Sequence, residues 1–290
     1  MAPAPRRKFP AMRILVINAD DLGFAPGVNR GIFEAHAAGT VTSASMMVTT
    51  PAFTAAAEQL PREAPRLGVG LHLNLVSGVP LSSVPSLVDP ATGRFHSLEV
   101  LARRALAGQV DPVDVRRECE AQLAALVAAG ITPTHLDSHR HAHAMPGILP
   151  AVAAVAHAAV IPVVRRPLDR VSILDPVASA KMLVVHAAWR TALTGVAPAH
   201  RTILARAPHF RGIAMQGTPD IRDRLLATLD QLPIGMTEIM VHPGYDDEVL
   251  AAQDAFRAER AVELRALCDP AVVARLNRGD LKLVSFRDLA

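Results

Sequence analysis

Five short stretches of this chain concentrate the residue types that do hydrolytic chemistry. NADDLG sets Asn18, Asp20 and Asp21 at the end of an apolar run. Adjacent carboxylates at the mouth of a strand repel each other unless a cation or a proton lies between them. The pair therefore suggests a metal ligand beside a base, although a single Asp there would also serve as a helix N-cap. GLHLNL places His72 among apolar neighbours, where an imidazole alone is more often a core residue than a ligand. THLDSHRHAH shifts that balance, because His135, Asp137, His139, His141 and His143 fall within nine residues and account for four of the twelve histidines. In an extended segment, alternation would turn all five towards one face. Imidazoles that close suppress one another's protonation, which a bound cation or a carboxylate network would relieve. EIMVHPGY ends another apolar run in His242, just before Pro243 and Gly244, and IPVVRR delivers Arg165 and Arg166 in an equivalent place. One Asp and two His with water completing the shell would leave open positions for a substrate, as catalytic rather than structural metal sites do.

These groups need a scaffold that brings strand ends together. Short β-rich runs at 13–18, 41–48, 68–75, 133–139, 161–166, 237–242 and 281–285 alternate with helical segments. That alternation predicts a parallel sheet with helices outside it. Several runs are almost continuously apolar, as burial on both faces requires. GIAM (212–215) would be an eighth strand. Helices at 26–38 and 112–129 each open on a proline and close on Gly39 or Gly130, a start and stop that suit those residues. The fold class expected is an α/β, TIM-barrel-like (β/α) barrel of seven or eight parallel strands. In such barrels the active site is built at the C-terminal strand ends, where all the groups above fall. The stretch 77–93, with three prolines and two glycines, reads as a long excursion from that face, and loops of such length are usually functional.

Bulk properties narrow the function. At 290 residues, half of them apolar, the chain has the size of one barrel, taken to span 12–290 behind a disordered extension at 1–11. A net charge of +3 without a basic stripe, and only one Trp and one Tyr, argue against nucleic acid. There is no GxGxxG after a strand and no P-loop. Cys119 and Cys268 are far apart and read as buried thiols of a reducing, cytoplasmic compartment. No apolar run is long enough for a transmembrane span. The apolar segment 177–197, which includes Trp189, reads as a core helix or as a rim for the lipid part of a substrate. A homodimer is compatible with the sequence, which does not test it.

NADDLG, VTSASMMV, GLHLNLVSGVPL, THLDSHRHAH and EIMVHPGY resemble, in order, the motifs of the YdjC-like carbohydrate deacetylase family, over residues 13–245. The resemblance extends to its hopanoid-biosynthesis-associated HpnK branch. It implies a barrel related to polysaccharide deacetylases and removal of N-acetyl groups from an amino sugar, either an oligosaccharide or a glycolipid such as an N-acetylglucosaminyl hopanoid. It further implies that Asp21, His72 and His139 bind a divalent ion, and that Asp20 is the general base and His242 the general acid. Asn18, His141, Arg165 and Arg166, at the same strand ends, are the candidates for substrate binding, with either arginine able to face the site. The ion implied is magnesium, while two imidazoles and a carboxylate also suit zinc. Thr49 stands where many relatives have Asn. Two other readings share these residues: a metal-dependent hydrolase of another amide or ester, and a sugar-binding barrel that has lost turnover.

Overall fold

The computed structural model describes residues 12–170 and 176–289; the extension expected at 1–11 lies outside them. Among the described residues seven strands, all paired in parallel, form the sheet: β1 (Arg13–Leu22), β2 (Ser43–Met46), β3 (Gly68–Leu73), β4 (Leu136–Ser138), β5 (His209–Arg211), β6 (Gly235–Val241) and β7 (Leu281–Leu283). The order is β4-β3-β2-β1-β6-β5. β1 pairs β6 along one edge; on the other it pairs β7 through Arg13 to Leu15 and β2 from Asn18 onward. The expected strand at 161–166 contributes a single parallel bridge, Val164 to Leu136, beyond β4.

The sheet curls into a barrel. Arg165 sits at the β4 end, yet its guanidinium reaches Glu238 on β6, which pairs with β5 at the opposite end. Among the described residues no ladder joins the two ends. Asp169 spans the seam instead, its Oδ2 accepting the N–H groups of Gly212 at 2.9 Å and Ala214 at 3.4 Å. The eighth strand expected at 212–215 is replaced by β5 three residues earlier. The strand ends at Arg211; Gly212 takes a φ of 136°, and a Cβ there would lie 2.6 Å from the Met240 carbonyl oxygen, so glycine is required where the chain turns out of the sheet.

Strand periodicity explains how the interior is filled. On β1, Leu15, Ile17 and Ala19 join the large core beneath the helices, while Ile14 and Val16 cluster with Val163, Val284 and Phe286 as a floor inside the barrel. Continuing upward by twos on β1 gives Asn18 and Asp20; β6 gives Glu238, Met240 and His242, and β3 gives Gly70 and His72. The interior is thus apolar at the bottom and charged at the top. Helices Pro26–Ala37 and Pro112–Ala128 form where expected. The excursion at 77–93 is strapped to the second of these: Glu118 accepts the N–H groups of Leu81 and Ser82, and Asp114 that of Ser86.

Candidate metal centre and active site

Two neighbouring carboxylates face the barrel mouth because β1 bulges. Ala19 pairs Ala44 and Leu22 pairs Met46, so β1 carries one extra residue between them, and Asp21 adopts a left-handed φ of 72°. In a regular strand Asp20 and Asp21 would point to opposite faces; the bulge turns both inward, at the conformational cost that functional sites tend to carry. A similar departure shapes the histidine segment. β4 ends at Ser138, and residues His139–Ala144 form a 3₁₀ turn in which Arg140 and His141 have φ of 54° and 56°. The alternation expected of the five groups therefore stops at His139. His143 turns away: its ring contacts Ser138 Oγ at 2.6 Å and, through Nε2, the Arg165 carbonyl at 2.9 Å. His135 lies deeper, stacked 4.3 Å from Phe286.

Three side chains converge at the mouth. Asp21 Oδ1 lies 3.2 Å from His72 Nε2 and 2.9 Å from His139 Nδ1, with all three residues buried. Behind them His72 Nδ1 meets Asp137 Oδ1 at 2.7 Å and Ser45 Oγ at 3.0 Å. A proton on Nδ1 donated to Asp137 leaves the Nε2 lone pair aimed at a carboxylate oxygen. That arrangement is repulsive unless a cation sits between them, and carboxylate-oriented histidines of this kind are usual at metal sites. Burial would lower the His72 pKa, but Asp137 and Asp21 raise it to about 10, so without an ion the ring itself becomes the cation. Burial would likewise raise Asp21, yet Arg260 and His139 hold it well below the ordinary carboxylate range.

A second triad, Asp20, His72 and Asp137, is equally close, but Arg165 already engages both of its carboxylates. Arg165 lays its fork on Asp20, with NH1 to Oδ2 at 2.6 Å and NH2 to Oδ1 at 2.7 Å. The same guanidinium contacts Asp137 and Glu238, each at 2.7 Å. Asp20, Asp21, Asp137 and Glu238 are buried against only two guanidiniums, Arg165 and Arg260, and Arg260 is shared with Asp254. Negative charge is in excess there, and protons or a divalent ion would offset it. The donor set at Asp21, His72 and His139 therefore fits a divalent ion.

The triad opens on a cavity of about 510 Å³, also walled by Asp20, His141, Met240, His242, Phe256 and Arg260, within the range of small-molecule sites. His242 stands 5.6 Å from the Phe256 ring centre, and its Nδ1 has no hydrogen-bond partner among the described residues. Burial, against the pull of Asp20 and Asp21, takes it down to about 4, so the ring is neutral. Its backbone N–H donates to Glu263 Oε2 at 2.6 Å.

The sequence profile of the YdjC-like proteins matches residues 14–278. The chain belongs to the YdjC-like family. It is 35% identical over 277 residues to a carbohydrate deacetylase of Geobacillus stearothermophilus, covering 95% of this chain and 98% of that protein. A human carbohydrate deacetylase is 34% identical, covering 97% and 92%. A chitooligosaccharide deacetylase of Yersinia enterocolitica is 31% identical, covering 95% and 99%. The crystal structure of a proposed cellobiose-phosphate cleavage protein from Enterococcus faecalis V583 superposes with a TM-score of 0.76 at 27% identity, covering 96% of this chain and 99% of that one.

In this YdjC-like barrel the residues singled out in the sequence divide into groups. Asp20, Asp21, His72, His139, His141 and His242 share the cavity wall. Asn18 and Arg165 lie behind it and hold Asp20, Asn18 Nδ2 donating to Asp20 Oδ1 at 2.9 Å, so neither is placed to touch a substrate. Arg166 is half-buried and does not line the cavity. Among the described residues nothing from the helix Pro176–Thr194 lines it either; Trp189 is buried beside His143, while Leu183 and Val184 are exposed. Sequence reading missed Arg260, Glu238, Ser45 and Phe256. Glu238 carried a usable signal, a lone carboxylate in the apolar run TEIMVH, whereas Arg260 in AFRAERAVEL looks like any solvated helix face. Among the described residues no helix is long and apolar enough to cross a membrane.

Proposed function

We propose that this protein is a metal-dependent hydrolase that removes N-acetyl groups from an amino sugar. The observation that carries the reading is the convergence of Asp21, His72 and His139 on one point in a cavity whose wall also presents Asp20 and His242. A divalent ion held by that triad would supply Lewis-acid polarisation of the acyl oxygen and a more acidic water. Magnesium, expected from the resemblance, prefers oxygen donors, whereas two imidazoles and a carboxylate are ligands that zinc accepts readily.

The chain's own groups do the proton work. Asp20 is held by the Arg165 fork, Asn18 Nδ2 and Ser45 Oγ, and takes the role of base towards the attacking water. His242 takes the role of acid towards the departing nitrogen, since an amine leaves poorly without a proton. It enters the cycle neutral, so the proton that Asp20 takes from the attacking water is passed to His242 across the cavity they share, and His242 gives it to the nitrogen as the C–N bond breaks. Acetate and a free amine result. With Phe256 as the single aromatic ring on the cavity wall besides the histidines among the described residues, a short acetylated sugar suits the site better than a long chain gripped by aromatic faces. A lipid-linked substrate gains no support from the Pro176–Thr194 helix, none of whose described residues lines the wall.

The test is acetate release from a panel of N-acetylated amino sugars, short oligomers and glycolipids, using protein stripped of metal and resupplied with magnesium or zinc. Resupply should restore release in the wild type but not in Asp21→Ala or His139→Ala. Asp20→Asn and His242→Gln should bind metal normally and lose about 10²–10⁴-fold in turnover. No release from any substrate by protein with metal demonstrably bound would sink the reading.

A further inference from the structure

Asp21 divides its two oxygens between different partners. Oδ1 faces His72 and His139; Oδ2 accepts from Arg260 NH2 at 2.7 Å. Arg260 is itself immobilised. Its Nε donates to the Phe256 carbonyl at 2.9 Å, NH2 also reaches Asp254 Oδ2 at 3.2 Å, and the guanidinium carbon lies 5.3 Å from the Phe256 ring and 5.8 Å from that of Phe24. The side chain is 1% exposed. A carboxylate beside a divalent ion can bind it through one oxygen or through both. Catalysis needs coordination positions left free for substrate. A guanidinium 2.7 Å from a ligand carboxylate also repels an incoming cation, the reverse of what a residue serving only to load the metal would do.

From this geometry we infer that Arg260 is a positioning residue: it withholds Oδ2, keeping Asp21 a one-oxygen ligand and a coordination place open for the substrate. The inference rests on the metal-dependent reading above. It separates two quantities that a merely structural residue would lower together, the affinity for metal and the turnover.

The experiment compares wild type, Arg260→Met and Arg260→Lys as full chains. Zinc and magnesium affinity of the stripped proteins is measured by titration calorimetry, kcat and KM by acetate release, and folding by thermal unfolding. In Arg260→Met, Asp21 is free to chelate, so metal should bind as tightly as in wild type or more tightly while kcat falls about a hundredfold, the order of loss for misplaced reacting groups. Arg260→Lys, with one donor and the charge kept, should recover part of the turnover at wild-type metal affinity. Metal affinity and kcat falling in parallel in a folded variant would overturn the inference, as would unchanged kcat. If Arg260→Met does not fold, Arg260→Lys decides by the same split: reduced kcat without reduced affinity. A wild type that binds no divalent ion would overturn the metal-dependent reading and the inference with it, whereas an active wild type with parallel losses would overturn only the inference.

Discussion

Arg165 governs the charge inside the barrel at the residue scale. Buried and in contact with Asp20, Asp137 and Glu238, it is the counter-ion without which three carboxyl groups would share a dry interior. Removing one partner from a buried ion pair costs about 3–5 kcal/mol, because the remaining charge has no solvent to turn to. Arg165→Met should therefore lower stability by about that amount in urea unfolding and abolish activity, whereas Arg166→Ala, one position off the interior alternation, should stay within about 0.5 kcal/mol. An Arg165→Met variant as stable as wild type would show that the carboxyl groups manage by protonation alone. The acids and histidines were legible in the sequence because their types and spacing are local. Their partners were not: Asp20 and Arg165 are 145 positions apart, and Asp21 and Arg260 are 239 apart. An arginine in a buried clamp is spelled the same way as one in water.

Between elements, the position of His242 depends on how the turn after β6 meets the helix Pro26–Ala37. Gly31 lies under Gly244, and a Cβ on Gly31 would sit 2.6 Å from the Gly244 Cα and 2.8 Å from its nitrogen. These are backbone atoms with no rotamer to change, so the helix and the turn must part. Overpacking of this kind costs about 1–3 kcal/mol. Gly31→Ala should lower the melting temperature and reduce turnover through a displaced His242 while leaving metal affinity at Asp21, His72 and His139 nearly intact. Full activity in that variant would mean the turn is free to move. The alternation of strands and helices was readable because burial on both faces demands apolar runs, and the proline and glycine helix ends were readable for the same local reasons. The β1 bulge and the left-handed pair Arg140 and His141 were not, since Asp and His tolerate a positive φ better than most residues but adopt it only where the surrounding fold requires it. Gly212 likewise ended a strand that its apolar neighbours Ile213 and Met215 had suggested would begin there.

For the whole molecule, the barrel's polar interior sets how stability follows pH. Burial drives His135 and His143 down to about 4, against the opposing pull of Asp137 on both and of the Arg165 carbonyl on His143, while in the unfolded chain each titrates near the ordinary 6.5. Between those values the unfolded state binds more protons than the folded one, so stability is complete above about pH 6.5 and is lost as pH falls towards 4. Each ring is worth about 3 kcal/mol over that window. Glu238 and Glu263 act in the opposite sense. Burial raises both to about 7, so the folded state binds more protons than the unfolded one above the ordinary carboxyl range, and their contribution weakens as pH rises towards 7. A single stability curve mixes these slopes, but a difference between variants separates them. In protein stripped of divalent ions, urea unfolding of wild type, His135→Gln and His143→Gln from pH 7 to 4.5 should give a steeper fall in wild type than in either variant. The gap should approach one proton, about 1.4 kcal/mol per pH unit, at the midpoint of the window. Parallel curves would mean that these rings stay neutral in the unfolded chain too, or gain protons in the folded one, and that the buried polar layer is open to water.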